Sequence, residues 1–345
     1  FIQPSNRQIN HRPVQMSQKT QSRNPQLKIQ AGHWILLFTL LGFGLRVQQL
    51  SYQPLWGDEG WSFYFAVQSV PQLLALTAID IHPPLYYLLL KTWMLITGLG
   101  AEEARLFSVA VGTALIPTIA VLGQRLAGKR IGATAAAVTA IMPLAVYYSQ
   151  EVRMYILVTL LGCMSTYFFV KNENRPSKYL SAYLITTAAA LYTMYYAVFI
   201  VGFQFLYATF VYLRNRRQQP IFAVLKPFIF AGLLYLPWIL YATPKLVNYI
   251  SNKRDVEGYI PLNPLRFFGD HFVAFSLGHL PDALQPYIWV VLPAVILVML
   301  GFGAVLTLKN RQSILLYFYL FVPLLLGFIV NLLYPFTPRF FERTL

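Results

Sequence analysis

Two carboxylates stand side by side in Trp56-Gly57-Asp58-Glu59-Gly60, directly after an apolar run that starts at His33. A carboxylate at the mouth of a site can accept a proton from a hydroxyl or ligate a metal, and Asp58 is the candidate for either role. The pair can also open a helix, with Asp58 as N-cap and Glu59 in the first turn, both favourable against the helix dipole. An N-cap needs only one of them. Next comes His82, in His82-Pro83-Pro84-Leu85-Tyr86-Tyr87. Proline suits the first helical position, so this motif also reads as a helix start, with its imidazole in the same loop as Asp58.

Three more clusters combine acids with arginines. Glu102-Glu103-Ala104-Arg105 opens an apolar run, and Ser149-Gln150-Glu151-Val152-Arg153-Met154-Tyr155 sits between two others. Pro338-Arg339-Phe340-Phe341-Glu342-Arg343 lies near the end. Glu151 and Arg153 are two residues apart and would not face each other on a helix, so each needs a different partner. Arginines at a membrane edge often do no more than snorkel, which is the plain reading of Arg105 and Arg339. Ionisable groups gathered at one face of a charge-poor membrane chain are nevertheless a functional hypothesis by default.

The chain is charge-poor: 57% of its 345 residues are hydrophobic and 11% are charged. A soluble domain is roughly half apolar and about a quarter charged, so this one has too few polar side chains to cover a water-facing surface. The formal net charge of +15 raises nucleic acid as a partner. The cations, however, fall in short clusters between apolar runs, which fits membrane topology and not a nucleic-acid footprint. Cys163 is the sole cysteine, which excludes an intrachain disulfide and a thiolate cluster.

Spanning a bilayer takes about 20 apolar residues. About nine candidate spans result, near 33–50, 105–126, 131–149, 153–170, 179–195, 196–213, 221–242, 286–308 and 313–333. The run from His33 is too long for a signal-peptide core and stays as an anchor. Residues 1–32 are polar and read as a disordered cytoplasmic tail. The sequence reads as a fragment, incomplete at its C-terminus, because another apolar element is due where it stops. The connectors 128–130, 171–178, 214–219 and 309–312 together hold ten Lys and Arg, and the tail adds five more. Placing all of them in the cytoplasm satisfies the positive-inside rule. That requires the apolar stretch 84–100 to lie along or dip into the outer face, since crossing would turn every later cluster outward. Residues 51–104 then form one outer loop, with Asp58, Gly100 and Glu103 extracytoplasmic and Gly128 and Asn215 cytoplasmic. The polar clusters all fall on the outer side.

An outer-loop Asp58-Glu59, then His82-Pro83-Pro84-Leu85-Tyr86-Tyr87, then Ala104-Arg105-Leu106 opening a span, resembles the GT-C glycosyltransferases. More narrowly, the order is similar to the bacterial branch related to protein O-mannosyltransferases (family 39) and to lipid A aminoarabinose transferase. Gln150 to Tyr155 resembles that branch's second outer-loop motif. The resemblance runs from about residue 33 to 345, giving an all-α polytopic membrane protein, with motif support concentrated in 56–155. It implies a GT-C-like bundle over 33–345 with juxtamembrane helices in the first outer loop, in a bacterial inner or plasma membrane. It also implies a polyprenyl-phosphate sugar donor and transfer on the outward face to a lipid, glycan or protein acceptor of the cell envelope. On that resemblance Asp58 matches the catalytic acid, Glu59 and His82 match surrounding motif positions, and Arg105 and Arg153 match positions near the donor phosphate. Glu151 stands where some relatives carry an Asp-containing motif, so a divalent metal at the site stays open.

The chemistry follows from these groups. Fixed guanidinium donors neutralise the charge that a departing lipid phosphate develops. A carboxylate beside the acceptor hydroxyl serves as base, and one displacement inverts the anomeric centre. Grooves between the spans would hold the isoprenoid tail. The competing class is a flippase or transporter of lipid-linked saccharides. It expects polar groups through the bilayer midplane and paired repeats, and neither is visible in this sequence.

Overall fold

The computed structural model describes residues 25–80, 82–174, 178–214, 220–256, 263–279, 295–299, 301 and 311–333. Among these residues there is no strand. The helices are α1 (Pro25–Val47), α2 (Gly57–Val67), α3 (Val70–Thr77), α4 (Leu85–Thr97) and α5 (Ala101–Ala127). After these come α6 (Lys129–Ile141), α7 (Pro143–Ser149), α8 (Tyr155–Asn174), α9 (Leu180–Leu191) and α10 (Val198–Arg214). The remaining three are α11 (Ile221–Val256), α12 (Pro264–Leu277) and α13 (Arg311–Leu333).

Among the described residues, five helices are long and apolar enough to cross a membrane: α5, α8, α10 with the turn before it, α11 and α13. The pair α6–α7 makes a sixth if its 59° bend lies within one span. The sequence count of nine is not reached among the described residues. The expected span 179–195 is the 12-residue α9. The chain turns at Thr193–Ala197 before α10, so one apolar stretch was divided into two full spans where only the second is long enough. The apolar part of α1, Gly32–Val47, is also short. Helix α1 starts at Pro25, so residues 25–32, assigned to the tail, are helical. Most of 286–308 and everything from Tyr334 lie outside the described residues, including Arg339.

Helix α4 has 13 residues, about 20 Å at 1.5 Å per residue, and cannot cross a core of about 30 Å. Its Tyr86, Tyr87, Leu90 and Met94 are buried. They pack with Phe65, Leu73, Phe107, Met154 and Leu157 into a core shared by α2, α3, α5 and α8. Leu95 and Ile96 remain exposed on the opposite side. The Lys91 Nζ donates to the carbonyls of Ala66 (3.3 Å) and Gln68 (2.8 Å), capping the C-terminal end of α2, where a cation is favourable. The Trp93 indole donates to the Glu103 carbonyl at 2.8 Å and fixes the start of α5 against α4. Helices α2, α3 and α4 thus form a layer with a core of its own, seated on α5 and α8.

Arg46 explains how the chain tolerates the α6–α7 break. Pro143 has no N–H, so the last carbonyls of α6 lose helical donors. Arg46 donates to Thr139 and Ala140 oxygens at 3.0 Å each, to Gly42 at 2.9 Å and to the Ser149 hydroxyl at 3.0 Å. Gly112 faces this knot, where a Cβ would overlap the Ser149 hydroxyl. Deeper among the helices, Gln204 links Ser165, Thr166 and Tyr183, and Ser165 meets Thr187. Such inter-helix hydrogen bonds hold apolar helices together where hydrophobic burial discriminates little.

Candidate active site

Helix α2 begins after Trp56, whose backbone is extended. This puts Asp58 and Glu59 in the first turn and makes Trp56, not Asp58, the N-cap. Glu59 supplies the reciprocal cap, its Oε2 accepting from the Trp56 N–H at 3.4 Å. The rest of Glu59 is committed elsewhere. Its Oε1 accepts from Arg105 Nε (3.0 Å) and from the Val152 N–H (2.9 Å), and its Oε2 accepts from Arg105 Nη2 (2.6 Å).

Arg105 is equally committed. Its Nη1 donates to the carbonyls of Leu50 and Gln53, and its Nη2 also donates to Pro54 at 3.3 Å. All five N–H groups of its guanidinium therefore have acceptors, and both side chains are buried. The sequence expectation that Arg105 meets a donor phosphate, and that Glu59 works as a catalytic residue, does not fit this arrangement. The two form a buried bidentate pair that fastens the 50–54 loop, the start of α2 and the 150–154 turn to one another.

Asp58, one residue away, points elsewhere, and its side chain is 41% exposed. Arg153 Nη2 lies 3.8 Å from Asp58 Oδ2, while Nη1 donates to the Asp58 carbonyl (3.3 Å) and the Ser62 hydroxyl (3.4 Å). The Arg153 guanidinium also lies 5.6 Å from the Tyr155 ring centroid. Its Nε is buried and has no hydrogen-bond partner among the described residues. Burial alone would lower the pKa of this arginine, but Tyr155, Tyr87 and Asp58 more than offset it and hold the pKa above its usual value. The cation is permanent.

His82 is buried, and its Nδ1 lies 3.2 Å from Asp80 Oδ2. Burial lowers its pKa, the Arg153 charge adds to this, and Asp80 and Asp58 act in the other direction. The imidazole is therefore neutral at pH 7, within the field of the Asp58–Arg153 pair. Asp80 was missed in the sequence, although its position two residues before His82 was a usable signal. Glu151 is buried near Tyr86, whose phenol is pushed up chiefly by burial, with Glu59 and Glu151 among the smaller causes. Among the described residues, no group of three or more His, Cys, Asp or Glu is placed to hold a metal ion. With Glu59 saturated by hydrogen bonds, Asp58 lacks the second carboxylate that the Asp-Glu motif offered.

Tyr155 faces two ways. Beyond Arg153 it lines a cavity of about 350 Å³ walled by Leu115, Met142, Tyr196, Phe199, Phe203 and Leu324, among other mainly apolar side chains. Those walls come from α5, the α6–α7 break, α8, α10 and α13. Tyr155 thus links the apolar chamber to a buried cation, Arg153, which has a part-exposed carboxylate beside it.

Residues 81–242 match the family model described as dolichyl-phosphate-mannose-protein mannosyltransferase. The match, over 162 of the 345 residues, agrees with the GT-C resemblance, and the five or six helices long and apolar enough to cross a membrane agree with a multi-pass membrane protein. It takes in His82, Arg105, Glu151, Arg153 and Tyr155 but begins after Asp58, which is tied to the matched part through Arg153. No curated protein matches the chain.

Proposed function

We propose that this protein transfers a sugar from a polyprenyl-phosphate donor to an acceptor hydroxyl on the extracytoplasmic face, with inversion at the anomeric carbon. The observation that carries this reading is Arg153, a buried, permanently charged guanidinium with an uncommitted Nε–H, 3.8 Å from Asp58 and in contact with Tyr155, which lines the apolar cavity. A lipid phosphate needs an apolar channel for its tail and cationic donors for its head, and these adjoin here. Asp58 takes the proton of the acceptor hydroxyl as its oxygen attacks C1. The bond between C1 and the phosphate oxygen breaks, and its electron pair leaves with the phosphate, which Arg153 neutralises. His82, oriented by Asp80, is a neutral hydrogen-bonding group toward the same centre. Glu59 and Arg105 are positioning residues.

Arg153→Lys tests the phosphate role. Lysine keeps the charge but loses the planar fork. A charge-assisted hydrogen bond is worth about 1.5–3 kcal/mol, so donor affinity should fall about tenfold to a hundredfold in a binding titration with polyprenyl phosphate. Parental affinity would remove Arg153 from the phosphate site.

Sidedness is tested separately. Cysteines at Tyr52 and Lys129, both exposed, are placed in the otherwise single-cysteine chain, whose Cys163 is buried. On intact cells an impermeant thiol reagent should label the Tyr52→Cys variant and not the Lys129→Cys variant. The reverse pattern would put the site in the cytoplasm.

A further inference from the structure

A second concavity reaches Arg105 of the Glu59–Arg105 pair. It is open, about 540 Å³ in volume, and lined by Gln48, Gln49, Gln53, Gln150, Tyr52 and Tyr147 with a few aliphatic side chains. Among the described residues its one charged lining residue is Arg105, whose N–H groups are already engaged. The Gln150 Nε2 donates to the carbonyls of Arg46 (3.2 Å) and Gln48 (2.8 Å), which fixes that side chain at the cleft wall. The three carboxamides of Gln48, Gln49 and Gln53 with two phenols suit one kind of ligand well. Amides donate and accept at adjacent positions, which matches neighbouring hydroxyls that do the same. Tyrosine offers a flat apolar face with a polar tip, which matches a ring with C–H faces and hydroxyl edges.

The backbone adds an independent sign. Gln49 follows α1 in the left-handed region, with φ of 57°, and is the one non-glycine residue with positive φ among those described. Glycine is the usual residue at such a helix end, and a long side chain there costs conformational energy. Strain of this kind persists at sites where the side chain is used.

We infer that this cleft holds the acceptor, and that the acceptor is a neutral saccharide, free or lipid-linked. The inference rests on the transferase reading for the word acceptor, while the saccharide binding it requires can be measured with no donor present. Arg105 lines the cleft and is paired with Glu59, which is the neighbour of Asp58 in the first turn of α2, so the cleft and the Asp58 centre are joined through one buried ion pair. Binding energy from sugar residues that do not react would then hold the reacting hydroxyl in place.

The experiment uses the full chain in lipid nanodiscs and saturation-transfer NMR. The probes are manno-, gluco- and galacto-configured trisaccharides, each free and attached to a lipid, together with an uncharged Ser/Thr-rich peptide. At least one trisaccharide should bind, and which arm binds identifies the form of the acceptor. Gln49→Gly and Gln53→Ala should each weaken it about threefold to tenfold, the loss of one amide pairing. Gln49→Gly should keep or raise the melting temperature, because glycine relieves the left-handed backbone, so lost binding cannot be ascribed to misfolding. Polyprenyl phosphate alone should bind these two variants as it binds the parent and bind Arg153→Lys worse, which separates failure of the cleft from failure of the donor site. Absence of binding by every trisaccharide, indifference to both glutamine variants, or binding of the peptide alone would overturn the inference.

Discussion

Asp58→Asn is expected to lower the turnover number for sugar transfer by about 10²–10⁴-fold, the usual contribution of a general base. Asn keeps the shape of the side chain and removes only its charge and basicity. Since Trp56 is the N-cap and Glu59 closes the cap, the fold does not depend on Asp58 there. Melting temperature should therefore hold, and polyprenyl phosphate should bind at least as well, since a negative charge 3.8 Å from Arg153 is gone. Turnover within a few-fold of the parent would leave Asp58 without a role in the chemistry.

The neighbouring carboxylate should behave in the opposite way. Glu59→Gln leaves Arg105 buried without its counter-charge, and breaking one side of a buried pair costs about 3–5 kcal/mol. The expected result is a fall of several degrees in the melting temperature, with lost activity following from the displaced 150–154 turn. Arg105→Lys should destabilise as well, because three ammonium donors cannot replace five in a fork. Replacing both, Glu59→Leu with Arg105→Met, should recover part of the loss. Recovery stays partial because the carbonyls of Leu50, Gln53 and Pro54 lose their donor. A Glu59→Gln protein as stable as the parent would refute the positioning role. The contrast between adjacent acids is the main consequence of the site geometry: one substitution should act on chemistry and the other on folding.

Much of this was legible before any coordinates. Charge placement alone required the stretch 84–100 not to cross the membrane, and α4 is too short to do so. The sequence assigns Asp58, His82, Arg153 and Tyr155 to one face, and in the fold Asp58 lies 3.8 Å from Arg153, which in turn contacts Tyr155. What sequence could not resolve was pairing across distance. Arg105 and Glu59 are 46 residues apart, and nothing local distinguishes an arginine that binds a ligand from one that binds a carboxylate. Arg46 likewise is the donor that satisfies a proline break about a hundred residues further along, a pairing with no local signal. The span count went astray for a related reason. Hydropathy registers how apolar a stretch is, not where it turns, and α9 is bounded by a turn that is itself apolar and aromatic. The transporter alternative gains nothing from the cavity, whose lining is mostly apolar and supplies no polar path.

The central claim is that Asp58 and Arg153 together consume a polyprenyl-phosphate sugar. Its most direct test is the release of polyprenyl phosphate from a panel of labelled polyprenyl-phosphate hexoses and pentoses, incubated with the purified protein in nanodiscs beside Asp58→Asn and Arg153→Lys. The expected result is release from at least one donor by the parent, about 10²–10⁴-fold slower release with Asp58→Asn, and a raised donor requirement with Arg153→Lys. Release at the parental rate by both variants, or from no donor in the panel, would contradict it.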